Sequence, residues 1–334
     1  MKKSNLKCWG MLLLLPFLTL SIFAQGPNKS GTYYQSADGL KGKALKTAMF
    51  KIIKSHTQLG YKQLWTAFQT TDKRADDKVW DMYSNVTNFT FGTDQDGQNN
   101  KHYKKEGDTY NREHSFPKDW FDDAYPMYTD LVHLVPTDGY VNGRRGNDPF
   151  GETKGDKYIS ENGFSKLGSC TYPGYKGTVF EPNDEYKGDF ARIYFYMATA
   201  YEDKITKWTK CPIVQDNAYQ PYKDWQQKML MEWSKKDEVS QKEIDRNAGI
   251  YALQKNRNPF VDYPGLEEYI WGSKKDVAFS YDHYQVPTGV TFVTVETKPL
   301  QSDDWYNLKG QSVGKKKPAK KGVYIHHGKK VVVE

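Results

Sequence analysis

Apolar residues recur every three or four positions in several stretches of the chain, which predicts amphipathic helices. The stretches are KGKALKTAMFKIIKSHTQ, YKQLWTAFQ, GDFARIYFYMATAYED and DWQQKMLMEW. A further helix is predicted to begin after Ser240, because Glu243 completes a capping box and SQKEIDRNAGIYALQ follows the helical pattern. The run VWDMYSN, which starts at Val79, predicts a short strand that leads into a polar loop.

The pattern changes towards the C-terminus. From about Ser273 the helical period disappears, and β-branched runs such as GVTFVTVET and VVV surround a lysine cluster, GKKKPAKKG. We therefore place a domain boundary near Gly272. The interpretation is a main domain over residues 25–272 and a β-rich, basic C-terminal region over residues 273–334.

The N-terminus has the features of a secretory signal peptide over residues 1–24. Lys2 and Lys3 precede an apolar run from Trp9 to Ala24, which is too short and too proline-broken for a stable membrane span. We expect an exported protein with no integral membrane segment in the mature chain. Cys170 and Cys211 then remain as an even pair, so either a disulfide or two independent thiols is expected.

The net charge of +7 says little about the main domain. Three lysines lie in the signal peptide and eight lie after residue 300, so the chain between them carries 37 basic and 38 acidic residues. Any surface that binds phosphate groups must therefore be local.

The polar run YNREHSFPKDWF, from Tyr110 to Phe121, sets Glu113 beside His114. Phosphodiester hydrolysis requires a base for water, a hard cation, and positive side chains for neighbouring phosphates. A neutral histidine suits the first role when a carbonyl or carboxylate fixes its other ring nitrogen. Glutamate and asparagine oxygens suit hydrated Mg²⁺, whereas no HExxH or CxxC pattern in this region favours zinc. An ordinary surface pair is the alternative interpretation of these two residues.

Three long motifs occur in a fixed order along the chain. They are NREHSFP, MYTDLVHLVPTDGYVNGRRGNDPFGE and EIDRNAGIYALQKNRNPFVDYP. Together they resemble the secreted bacterial endonuclease I family, a branch of the ββα-metal or His-Me finger nucleases, over roughly Ala44 to Trp271. The resemblance implies an α+β fold, a mostly helical domain around a ββα-metal motif, followed here by the small C-terminal β element.

The resemblance also implies roles for individual residues. The family's general base corresponds to His114, and its metal ligands correspond to Glu113 and to Asn147, from the helix after the turn. The implied cofactor is Mg²⁺, with Mn²⁺ or Ca²⁺ as alternatives. Water is the nucleophile, so the products are expected to carry 5′-phosphate and 3′-hydroxyl ends, and no ribose 2′-hydroxyl is required.

The phosphate-binding side chains are less well defined. Arg144 and Arg145 precede Asn147 and could hold phosphates, or they could form a solvated turn. Smaller members of the family use an arginine between the Glu-His pair and the asparagine, but Ser115 to Val141 contains no arginine. Lys118 or one of the turn arginines is left as a substitute. His133 is interpreted as a packing or tautomer-orienting residue rather than as a metal ligand.

We therefore predict an exported, Mg²⁺-dependent, sequence-nonspecific endonuclease that acts on DNA, with RNA left open. The alternatives are a noncatalytic surface protein that binds nucleic acid or an acidic polymer, and a phosphodiesterase for small molecules. The end of the chain, WYNLKGQSVGKKKPAKKGVYIHHGKKVVVE, resembles the β-rich ends of many exported proteins, some of which act as sorting signals. It would then engage secretion machinery, and a basic patch or a solubilising tail is the alternative.

Overall fold

The computed structural model describes residues 25–287, 305–306, 312–319, 321–326 and 329–333. The predicted signal peptide and the run GVTFVTVET lie outside the described residues. In these ranges, no helix is both long enough and apolar enough to cross a membrane.

The first two helices follow the periodicity of the sequence. Helix α1 spans Gly42–Ile53 and α2 spans Leu64–Thr71. Helix α1 buries Leu45, Met49 and Ile53, which lie one turn apart on the same face.

The stretch after α2 does not form the predicted strand. Asp81 accepts hydrogen bonds from the backbone N–H groups of Tyr83 and Ser84, which bends the chain. Such bonds between a side chain and nearby backbone compete with the ladder of a β-sheet, so VWDMYSN becomes an irregular, buried segment.

A strand pair followed at once by a helix lies in the middle of the chain. Strand β1 (Tyr110–His114) pairs antiparallel with β2 (Leu134–Asp138), with His114 opposite Leu134. Helix α3 (Gly139–Arg145) begins directly after β2. The Asp138 side chain caps this helix by accepting from the Val141 N–H at 2.8 Å, which fixes the angle between strand and helix.

The rest of the main domain consists of a small sheet and a group of helices. The antiparallel sheet has the order β3-β4-β5, with strands Tyr158–Ile159, Lys166–Ser169 and Thr178–Glu181. The helices are α4 (Lys187–Ala200), α5 (Asp224–Lys236), α6 (Gln241–Gln254), α7 (Pro259–Asp262) and α8 (Leu266–Ile270). Helix α4 is buried along nearly its whole length, and it packs against α5, α1 and α7. The capping box of Ser240 and Glu243 is present at the start of α6, as predicted.

The chain beyond Gly272 continues along the same core. The ring of Phe279 packs against Tyr263, and the backbone of Phe279 exchanges hydrogen bonds with the segment at Gly39 and Leu40. The described C-terminal residues form an antiparallel sheet of order β7-β6-β8-β9, with strands Trp305–Tyr306 (β6), Ser312–Gly314 (β7), Gly322–His326 (β8) and Lys329–Val333 (β9). This mixture of helices and separate antiparallel sheets is an α+β architecture.

Candidate active site

The end of strand β1 brings the Glu-His pair to the centre of the domain. Both side chains are buried, with 4% of Glu113 and 5% of His114 exposed to solvent. Helix α3 contacts both β1 and β2, so the side chains of Asn142 and Arg145 approach the same strand pair. The pair is therefore an internal feature and not the ordinary surface pair that the sequence left as an alternative.

The imidazole of His114 is held in one tautomer. Its Nε2 atom lies 3.0 Å from the backbone carbonyl oxygen of Tyr128. Because a carbonyl can only accept, Nε2 carries the proton and Nδ1 keeps the lone pair. Burial lowers the pKa of His114 well below its usual value, and the charges of His133, Lys118 and Arg112 act in the same direction. The ring is therefore neutral near pH 7, as a general base must be.

Aromatic rings surround His114 and limit its rotation. The ring of Tyr128 stacks on the imidazole with centroids 5.3 Å apart, and the ring of Tyr61 stacks on Tyr128 at 4.6 Å. Phe121 and His133 lie 6.4 and 5.5 Å from the imidazole on tilted planes. These contacts limit the orientations that the His114 ring can adopt.

Glu113 points into a polar cluster on the side of α3. Its Oε1 atom accepts from the Tyr83 hydroxyl at 2.7 Å and from the Nη1 atom of Arg145. Asn142 lies beside Glu113, where it acts to lower the pKa of the carboxyl, and its Nδ2 donates to Asn111 Oδ1 at 2.7 Å. Burial raises the pKa of the Glu113 carboxyl, against the opposing effect of the Arg145 charge and these hydrogen bonds.

Arg145 does not occupy the position expected of a phosphate-binding side chain. It is 1% exposed, and it donates through Nη2 to the carbonyl of Ser115 at 2.8 Å and through Nη1 to Glu113. Burial alone would lower the pKa of Arg145, but Tyr83 and Glu113 raise it above its usual value, so the guanidinium stays charged. Its charge is used inside the protein to hold the Glu113 carboxylate.

The other tentative phosphate ligands are placed differently from one another. Arg144 is exposed, and its guanidinium stands 5.2 Å from the Tyr158 ring centroid. The Nζ atom of Lys118 is 2.8 Å from Asp123 Oδ1 and 5.9 Å from the Tyr128 ring centroid, so it lies on the His114 side of the strand pair.

The two asparagines near α3 occupy different environments. Asn147, which the sequence pattern indicates as a metal ligand, is exposed and lies beyond the C-terminal end of α3 rather than in the helix. Asn142, which the sequence pattern indicates as a backbone-fixing residue rather than as a metal ligand, lies in the helix beside Glu113. Its position one turn into the helix after β2 is the sequence signal that could have found it.

Cys170 and Cys211 are not joined by a disulfide. Cys211 is buried, and Cys170 is half-buried with its sulfur 3.6 Å from the Tyr172 carbonyl oxygen. The structure therefore favours the alternative of two independent thiols over the disulfide.

Comparison with known proteins places this site in a family. Residues 41–265 match the Endonuclease I family. The chain belongs to that family. This result confirms the resemblance carried by the three sequence motifs.

Relatives of the Endonuclease I chain are nucleases by name. It is 35% identical over 246 residues to the extracellular ribonuclease of Bacillus subtilis, which covers 72% of this chain and 78% of that protein. It is 36% identical over 251 residues to the extracellular ribonuclease of Bacillus amyloliquefaciens, with the same coverage. A shorter match, 32% over 134 residues, relates 40% of the chain to 46% of an endonuclease-1 from Buchnera aphidicola.

The carboxylate of Glu113 and a nearby asparagine amide could hold a hydrated Mg²⁺ ion, but they could not form a closed metal cage. Within the described part of the chain, no group of three or more His, Cys, Asp or Glu residues could hold a metal. One carboxylate and an amide oxygen leave most coordination positions to water, which suits Mg²⁺. The positive charge of Arg145 beside Glu113 repels a metal ion at the same carboxylate. We therefore expect the metal ion to bind weakly.

Proposed function

We propose that this Endonuclease I chain is an exported nuclease that hydrolyses internal phosphodiester bonds of nucleic acid, with His114 as the general base. The observation that carries the proposal is the bond from His114 Nε2–H to the Tyr128 carbonyl, which leaves Nδ1 free to accept a proton. The family match and the relatives named as nucleases support the substrate class, and the relatives named extracellular support export.

We further propose that β1, β2 and α3 form the ββα-metal motif of the family. His114 takes a proton from the attacking water at Nδ1, while the Tyr128 carbonyl stabilises the imidazolium through the Nε2–H group. Mg²⁺, when bound, supplies positive charge to the phosphate and to the departing oxygen. Glu113 would hold the ion together with an amide, from Asn142 by position in the fold or from Asn147 by sequence pattern.

The mechanism accounts for the substrate range that we propose. Because water is the nucleophile, the chain needs no 2′-hydroxyl, so the mechanism permits DNA as well as RNA as a substrate. Contacts to phosphates without contacts to base edges give little sequence preference. The products carry 5′-phosphate and 3′-hydroxyl ends.

Digestion of a supercoiled plasmid and of a structured RNA by the mature chain tests the proposal. We expect cleavage of both with Mg²⁺, no cleavage with EDTA, and a loss of about 10²- to 10⁴-fold with His114→Ala. Retention of the plasmid on a gel without cleavage in Mg²⁺, Mn²⁺ or Ca²⁺ would instead establish a noncatalytic binding protein. Cleavage of small phosphodiesters alone would establish the small-molecule alternative.

A further inference from the structure

Arg112 lies on the same strand as His114 and is held between two aromatic rings. Residues two apart on a strand project from one face, about 7 Å from each other, so Arg112 and His114 share a face of β1. The guanidinium carbon lies 3.6 Å from the Tyr61 ring centroid and 4.3 Å from that of Trp65. Its Nη1 atom donates to the Tyr61 carbonyl at 2.9 Å.

The charge of Arg112 has no carboxylate partner within the described residues. The arginines there that form ion pairs are Arg74 with Asp76, Arg145 with Glu113, Arg192 with Glu243, Arg246 with Asp72, and Arg257 with Asp262. Arg112 is half-buried, and its Nε atom is buried without a hydrogen-bond partner. Asp96, the acidic group that acts on its pKa, makes no ion pair with it in this part of the chain.

Arg112 is a partly desolvated cation without a counter-ion beside the proposed general base, so we expect an anion to bind to it. Burying a charge costs free energy unless an opposite charge or hydrogen bonds compensate for it. The rings of Tyr61 and Trp65 offer favourable cation–π contact and hold the planar guanidinium in one orientation, but they do not neutralise it. A phosphate group matches the fork of guanidinium donors in both charge and shape.

We propose that Arg112 binds a phosphate group of the nucleic-acid strand whose cleavage His114 assists. This inference rests on the proposed nuclease function, because the anion is a phosphate of that substrate. Arg112 supplies the positive charge on this face of β1, since Arg145 is committed to Glu113, Lys118 is paired with Asp123, and Arg144 lies on α3 beside the Tyr158 ring. The rings of Tyr61 and Trp65 hold the guanidinium in one orientation before the nucleic acid binds.

Binding measured without catalysis tests this assignment. The probe is a labelled single-stranded oligodeoxynucleotide, followed by fluorescence anisotropy with the mature chain in EDTA over a series of salt concentrations. Arg112→Gln is expected to weaken binding about tenfold and to reduce the slope of log K against log salt by about 0.7, the value for one phosphate contact on a single strand. Arg74→Gln, at an accessible arginine that is already paired with Asp76, is the matched control and should change both quantities less.

Equal affinity and equal salt slope for Arg112→Gln and the wild-type chain would overturn the proposal. A second measurement on the wild-type chain covers the case in which the variant does not fold. Phenylglyoxal modifies accessible arginines, and the oligodeoxynucleotide should protect Arg112 at least several-fold better than Arg74. Equal protection of the two arginines overturns the proposal. A wild-type chain that neither binds nor cleaves nucleic acid would overturn the nuclease function itself, whereas a chain that cleaves normally without Arg112 overturns only this inference.

Discussion

The Nε2 atom of His114 lies 3.0 Å from the backbone carbonyl oxygen of Tyr128. His133 supports this bond from two directions. Its own Nε2 donates to the carbonyl of Met127 at 2.7 Å, and its carbonyl accepts from the N–H and the hydroxyl of Ser115 at 2.9 and 2.8 Å. His133 thus fixes the residues adjacent to both ends of the bond.

His133 is therefore expected to position the general base without touching substrate. His133→Leu removes the donor to Met127 and should lower kcat by about 10- to 100-fold with little change in KM, because a small displacement of a catalytic group is costly. His133→Gln keeps an N–H donor near the Nε2 position and should recover most of the activity. Steady-state kinetics and the ¹⁵N shifts of the His114 ring measure the effect.

A purely structural role for His133 would give a different pattern. In that case His133→Leu would lower the melting temperature while the ¹⁵N shifts of the remaining folded protein still report the Nε2–H tautomer of His114. Loss of that tautomer preference in the folded variant would support the positioning role.

The buried ion pair of Glu113 and Arg145 is expected to be necessary for stability. Arg145→Met leaves the Glu113 carboxylate buried without its counter-charge, which should lower the free energy of unfolding by about 3–5 kcal/mol. Arg144→Met changes the neighbouring, exposed arginine and should shift the same quantity by no more than about 0.5 kcal/mol. Urea unfolding of both variants measures the difference, and similar losses would contradict the buried pair.

The asparagine that assists Glu113 can be identified from the metal dependence of activity. If Asn142 provides the amide oxygen, Asn142→Ala should raise the Mg²⁺ concentration for half-maximal activity about tenfold, while Asn147→Ala leaves it close to the wild-type value. Removal of the ion by EDTA should be fast and fully reversible, because the site offers few protein ligands. A larger increase in this Mg²⁺ concentration for Asn147→Ala than for Asn142→Ala would identify Asn147 as the metal ligand.

The contribution of Asp237 and Glu243 to stability is expected to fall as the pH rises to about 7. Burial and the nearby Asp189 raise the pKa of Asp237 to about 7, and burial raises the pKa of Glu243 to about 6. A carboxyl whose pKa is higher in the folded state than in the unfolded chain favours folding most at a pH below its unfolded-state pKa of about 4. This contribution is lost as the pH rises through the folded-state pKa.

Asp237→Asn should make the unfolding free energy less dependent on pH between 5 and 8. The variant keeps an oxygen that can accept from the Gly188 N–H, a bond of 2.7 Å in the wild-type chain. Asp203→Asn, at an exposed carboxylate, is the control and should leave the wild-type pH profile intact. Identical profiles for all three proteins would refute the assignment to Asp237.

The free thiols predict that reductant has no effect on stability. A disulfide would contribute about 2–4 kcal/mol, so a joined pair would show a clear loss of melting temperature in dithiothreitol. We expect no such loss, and we expect Cys170→Ser, at the half-buried cysteine, to behave as the wild-type chain does. Detection of two thiols per denatured, unreduced mature chain checks the same point.

The sequence by itself determined the local features of this protein. Helical periodicity located α1 and α2, the Ser240 capping box located the start of α6, and the ordered motifs identified the family. These features depend on residues three or four positions apart or on contiguous motifs, so they can be recognised in the amino-acid sequence alone.

Only the tertiary structure decided which residues complete the site. Arg144 and Arg145 are alike in sequence, but successive residues of a helix point about 100° apart, so one faces solvent and the other faces Glu113. Tyr83 reaches Glu113, and the Tyr128 carbonyl reaches His114, through packing of distant segments. No local pattern encodes such contacts, because they follow from how buried polar groups find partners once the core has formed.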